Sequence, residues 1–127
     1  AQEMRELVAK QNLGDRVHFL GPRPVQELGA IFPQHRLMVN MASETIDKTM
    51  LEGMLFGLYP ITTQGNSEAI GLPVSINNDD PKEIAAFIMD EKWKQYNASF
   101  LQNIVRERHS LSSLIGQMNK YIMSSQI

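Results

Sequence analysis

Met38–Val39–Asn40–Met41–Ala42–Ser43–Glu44–Thr45–Ile46–Asp47–Lys48–Thr49–Met50–Leu51–Glu52–Gly53–Met54–Leu55–Phe56–Gly57 reads as a strand, a short polar turn and a helix. Glu44 falls where the strand ends. Glu52 falls inside the helix, with seven residues between the two. In a doubly wound sheet the carboxyl end of a strand and the start of the next helix form the ligand crevice. A helix start presents unpaired N–H groups and positive partial charge, which suit a phosphate. Carboxylates on either side of it can accept hydrogen bonds from hydroxyls. A polyhydroxylated, phosphate-bearing ligand satisfies all three elements.

Working outward from this stretch, the chain alternates helical and extended patterns. Ala1–Asn12 reads as a helix with Met4, Leu7 and Val8 on one face, ended by Gly14 and Asp15. Val17–Leu20 is a short apolar strand bounded by Gly21–Pro22. Pro24 suits the first turn of a helix in which Val25, Leu28, Ile31 and Phe32 recur at helical spacing, closed by Pro33. Leu37–Met41 is a strand apolar enough to be buried on both faces. The helix after it has Met50, Leu51, Met54 and Leu55 as its core stripe, with Gly57 at the C′ position.

Tyr59–Thr63 is the third strand, Gln64–Glu68 a loop with a short helical turn, and Pro73–Asn77 the fourth strand. Asp80–Pro81–Lys82–Glu83 is a helix start with Asp as N-cap, Pro at N1 and Glu at N3; Ile84, Phe87 and Ile88 form the buried face. Two helices follow, one marked by Trp93, Tyr96, Phe100 and Ile104. The other is marked by Leu111, Leu114, Ile115, Met118, Tyr121 and Ile122, with Ser110 as N-cap. The expected class is α/β: a Rossmann-like parallel sheet with helices on both faces. Residues 1–127 form one domain, with a βα core over 1–89 and a terminal helix pair over 90–127.

Composition narrows the function. The 127 residues carry a net charge of −2, so no basic stripe marks a nucleic-acid partner. Without cysteine there are no disulfides or thiolate metal sites. No apolar run reaches the roughly 20 residues of a membrane helix. These features are compatible with a cytoplasmic protein. His18, His35 and His109 are far apart in the chain and lack metal-ligand spacing. The many methionines read as core filler.

Ser43–Glu44, then seven residues, then Glu52–Gly53–Met54–Leu55–Phe56–Gly57–Leu58–Tyr59–Pro60–Ile61 resembles the E-x7-E signature of retaining GT-B glycosyltransferases, which use nucleotide-diphosphate sugars. Further segments fit in order. Leu13–Gly21 resembles the family's strand leading toward the nucleotide base. Gly65, Glu68 and Gly71 resemble its G-G-x-x-E…G segment, Asp80–Ala86 its D-P-x-x-L-A helix, and Arg106–Ser110 its H-F-S-W tail. The resemblance implies the carboxy-terminal, donor-binding half of such an enzyme, and an incomplete one. Its first two strands, and a G-R-x…K-G segment whose Arg and Lys pair with the diphosphate, would precede this chain. So would the amino-terminal half, which carries the acceptor site and the remaining catalytic groups. Without those strands, inner backbone groups would lie unpaired at a cost of roughly a few kcal/mol each. Either the strands rearrange, or another chain pairs with the edge, or the natural protein is longer.

By that resemblance Glu52 accepts hydrogen bonds from the ribose hydroxyls and Glu44 from those of the donor sugar. Thr49, Met50 and Leu51 present backbone N–H groups to the diphosphate. Lys48 reaches a phosphate, and Gly21 borders the base. No metal or other cofactor is implied, and no catalytic residue falls in this chain. The pattern departs from the family at Thr45–Ile46–Asp47, where the glycines that let backbone amides approach the sugar are absent. That departure motivates an alternative, a non-catalytic binding or interaction module that keeps the fold. An unrelated doubly wound domain of the response-regulator kind would need an acidic cluster at its first strand end, and none is visible.

Overall fold

The computed structural model describes residues 2–41 and 48–109. Over these residues the protein is a mixed α/β structure, with six α-helices and a parallel sheet of two strands. The centre is a βαβ unit. Strand β1 (Leu37–Asn40) leads through 41–47 into helix α3 (Lys48–Leu55), and β2 (Tyr59–Thr62) returns parallel to β1. The register pairs Leu37 with Tyr59 and Asn40 with Thr62. This is the strand–helix–strand order expected of the sequence.

Local chemistry sets the ends of α3. Gly57 has φ +88, Leu58 N–H donates to Gly53 O, and Gly57 N–H donates to Met54 O, both at 3.0 Å. These are the two bonds of a Schellman cap, and they turn the chain directly into β2. Gly53 is buried in the middle of the helix because β1 passes close by. A Cβ there would lie 2.6 Å from Met38 Cε.

The two strands differ in burial. All four residues of β2 are buried, whereas β1 is half-buried and Val39 is 53% exposed. The expectation that Leu37–Met41 is buried on both faces is therefore corrected. Its strand is Leu37–Asn40, and among the described residues it has a strand neighbour on one side only.

Two further expected strands are not strands. Val17–Leu20 is irregular and exposed, and no strand among the described residues lies beside it. Pro73–Asn77 is also irregular, for a visible reason. The Tyr59 hydroxyl donates to Val74 O and accepts from Val74 N–H at 3.1 Å. A side chain thus satisfies both backbone groups that a sheet ladder would have used. Tyr59 N–H points to β1, donating to Arg36 O at 2.9 Å. The alternation of a strand then puts the imino nitrogen of Pro60 on the far edge, where it has no hydrogen to offer.

Helices surround this unit. Helix α1 (Gln2–Lys10) buries no residue; Met4 and Leu7 are 56% and 49% exposed, so its expected apolar face is not a core face here. Asn12 ends it with φ 58, ahead of Gly14 and Asp15: Leu13 N–H reaches Val8 O at 2.9 Å. Asparagine tolerates the left-handed conformation better than most side chains. Helix α2 (Val25–Ile31) runs into a 3-10 turn, Phe32–Gln34, that contains Pro33. Gln64–Glu68 is longer than the helical turn expected of it. It belongs to α4 (Gln64–Ile70), capped by Thr63 Oγ1, which accepts from Asn66 N–H at 3.2 Å.

Helix α5 (Pro81–Asp90) starts as its sequence predicts, with Asp80 Oδ1 accepting from Lys82 N–H at 2.9 Å. The expected long helix through Trp93 and Ile104 is broken. Lys92–Gln95 is a 3-10 turn and Tyr96 is extended. Asn97 then caps α6 (Ala98–Arg108), its Oδ1 accepting from Phe100 N–H at 2.9 Å. The helix expected after Ser110 lies outside the described residues, as do Ala42–Asp47.

The core joins α3, β2, α4, α5 and α6 through Met50, Met54, Tyr59, Ile61, Ile70, Phe87, Trp93, Leu101 and Ile104. Helix α6 packs on α3, and Gln102 Nε2 donates to Leu55 O at 2.9 Å, satisfying a carbonyl at the end of α3.

Burial makes Tyr59 a marker of this core. Desolvation is the main cause that pushes its phenol up from the ordinary 10 to about 12, with the hydrogen bond to Val74 opposing. A phenol that is harder to ionise in the folded state stabilises the fold fully below pH 10. That stabilisation is lost as the pH rises toward 12, because the unfolded chain then releases the proton first. The expected loss is about 3 kcal/mol, from the roughly 1.4 kcal/mol that each pH unit represents. Urea denaturation at a series of pH values across this window measures it. The Tyr59→Phe variant should lack this component of the slope.

Candidate functional site

Five of the expected ligand-facing residues, Lys48, Thr49, Met50, Leu51 and Glu52, lie on α3, and the helix sorts them by its own geometry. At about 100° per residue, Met50, Gly53 and Met54 share the face turned to the sheet, and Lys48 and Glu52 lie on the outer side. The burial follows this division. Met50 and Met54 are fully buried, and the Lys48 side chain is 88% exposed. Glu52 is intermediate, with 29% of its side chain exposed. Lys48 Nζ stands 3.8 Å from Glu52 Oε1, an i,i+4 pair. Pairs of this kind at a surface are weak, about 0–1 kcal/mol.

The first turn of α3 holds no acidic side chain and opens on a lysine. A lysine adds positive charge at the helix end that is already positive, where an acidic residue would ordinarily stabilise the helix. Lys48 therefore adds its charge to the positive end of the helix dipole, with Glu52 3.8 Å away as its counter-charge. A carboxylate one turn further on, within reach of solvent, can accept hydroxyl hydrogen bonds. Together they suit a ligand bearing phosphate at one point and hydroxyls at another.

The sequence-expected residues are placed as follows. Lys48 and Glu52 are brought together on the outer side of α3. Met50 is a core residue, so its side chain is not available to a ligand, and only its backbone could serve. Leu51 is half-buried and packs against the core. Thr49 is half-buried and already engaged in a polar contact. Leu55, expected in the core stripe, is 40% exposed, because the inward face of the helix is taken by Met50, Gly53 and Met54. Gly21 lies in the connection before α2 with φ +69, and a Cβ built on it meets nothing within 4 Å. Glu44 lies outside the described residues.

Other features have structural employment. Asn97, in the Asn97–Ala98–Ser99 acceptor pattern for glycans, uses its side-chain oxygen to cap α6. Among the described residues no group of three His, Cys, Asp or Glu could hold a metal ion. Among them, too, no helix is long and apolar enough to cross a membrane. Gln102 is a residue that sequence reasoning missed. It reaches α3 across 47 positions of chain, and no local pattern announces such a contact.

No family model matches this chain, and neither the curated proteins nor the solved structures contain a match.

Proposed function

We propose that the chain is the nucleotide-sugar donor-binding part of a retaining glycosyltransferase. The observation that carries this reading is the β1–α3–β2 unit. Its strands run parallel, α3 connects the carboxyl end of β1 to β2 and opens on Lys48, and Glu52 lies one turn along the outer face. The carboxyl end of a strand is the location at which a doubly wound fold receives a ligand. In this reading the sheet belongs to a Rossmann-like, GT-B carboxy-terminal half. The start of α3 and Lys48 neutralise the diphosphate, and Glu52 holds the ribose hydroxyls. Glu44 holds the hydroxyls of the donor sugar. Leaving-group charge is stabilised by fixed dipoles and a basic side chain. The acceptor and the catalytic groups come from an amino-terminal half, and these 127 residues alone do not turn over substrate.

Isothermal titration with UDP, GDP and ADP tests the reading. One of the three should bind, and Glu52→Gln should weaken that binding by about tenfold, the cost of one charge-assisted hydrogen bond. Because Glu52 is on the outer side of α3, the variant should fold as the parent does. Equal affinity for variant and parent would remove Glu52 from the site.

One observation favours a second reading. Lys48 and Glu52 can satisfy each other, and the family's glycines are replaced by Thr45 and Asp47. A module that kept the fold and lost the chemistry has the same features. It would bind none of the three nucleotides.

A further inference from the structure

A cavity of about 400 Å³ opens between residues 16–20 and the end of α2 with its 3-10 turn. It is lined by Arg16, His18, Leu20, Ile31, Gln34 and His35, and no carboxylate is among them. The basic side chains nearby are occupied. Arg5 lies over the Phe19 ring, Arg36 lies over Trp93, and Arg23 donates to Leu20 O and pairs with Glu27 at 3.4 Å. Glu27 itself lines the adjoining hollow with Arg23 and Gln26. By contrast, the side chains of Arg16, His18 and His35 have no hydrogen bond or ion pair among the described residues. Gln34 is held on the rim by its amide, which donates to Ala30 O at 2.8 Å.

Among the described residues, then, three donor side chains without partners line one hollow whose lining holds no carboxylate, a combination that favours an anion. We propose that this cavity binds a phosphate monoester carrying a compact apolar group. A phosphate offers three acceptor oxygens, matching a guanidinium and two imidazole N–H groups; a carboxylate offers two. The guanidinium fork suits two phosphate oxygens at once. Leu20 and Ile31 supply an apolar wall for the organic part, and the volume falls in the range of small-ligand sites. The site uses none of the residues assigned to the donor crevice, so each stands or fails separately.

Titration of the ¹⁵N-labelled chain with phenyl phosphate, read by amide chemical shifts, tests the proposal. Saturable shifts are expected at Arg16, His18 and His35. Inorganic phosphate, lacking the apolar body, and benzoate, lacking an oxygen, should each bind several-fold more weakly. Arg16→Gln should weaken phenyl phosphate binding about tenfold. Gln26→Ala, in the adjoining hollow, and Glu52→Gln should leave it unchanged. All three side chains are on the surface, and unchanged amide shifts elsewhere report that each variant is folded. Absence of saturable shifts, equal binding of benzoate, or full affinity in the Arg16 variant would overturn the proposal.

Discussion

Tyr59→Ala is expected to remove at least about 4 kcal/mol of stability, enough to unfold much of a domain whose total is about 5–15 kcal/mol. Truncating a buried aromatic side chain costs about 3–5 kcal/mol in lost burial and cavity formation. Tyr59 is 1% exposed and packs beside Phe87 and Tyr96, with ring centroids 6.1 Å away in both cases. The variant also strands the N–H and C=O of Val74, which the hydroxyl satisfies. Leaving such half-buried groups unpaired adds about 1–3 kcal/mol. Tyr59→Phe separates the two contributions, since it keeps the ring and removes only the hydroxyl. It should cost about 1–3 kcal/mol by urea denaturation. A phenylalanine variant as stable as the parent would mean that the hydroxyl's bonds to Val74 contribute nothing net to stability.

The second large effect is expected in α3. Met54→Ala should cost about 2–5 kcal/mol, the usual range for a buried methionine reduced to alanine. Met54 is fully buried in the core cluster, on a helix that packs against both β2 and α6. Leu55→Ala, at the neighbouring position, should cost much less, because Leu55 is 40% exposed and already meets water. The contrast is informative because both residues are apolar and adjacent, and helical spacing alone assigns both to the core. Thermal denaturation of the pair measures it. Equal losses would mean that α3 is rotated from the orientation in which Gly53 faces Met38. The same rotation would carry Glu52 away from the outer face and so bear directly on the proposed donor site.

Much of the candidate site was legible in the sequence because it rests on one helix. The i,i+4 spacing of Lys48 and Glu52 puts them on one side of α3 whatever surrounds it, and the same periodicity sends Met50 and Met54 inward. The lysine-led, acid-free first turn can also be read directly from Lys48–Leu51. The cavity at Arg16, His18 and His35 was not legible. Its residues come from two segments joined by a turn and a helix. As a metal site the histidines had no meaningful spacing, and their shared hollow exists only once α2 folds back against 16–20.

The sequence by itself determined those features that a few neighbouring residues can enforce. Gly57 accepts a positive φ and closes α3, Asp80 and Pro81 open α5, and the apolar runs at 37–40 and 59–62 flank a helix and pair in parallel. Tertiary structure decided which extended segments became strands, where the helix after Trp93 broke, and which apolar side chains met water. A helix satisfies its hydrogen bonds within itself, so local composition can specify it. A strand needs a neighbour to complete its backbone pairing. Val17–Leu20 has none among the described residues, and at 73–77 the Tyr59 hydroxyl takes the backbone bonds of Val74.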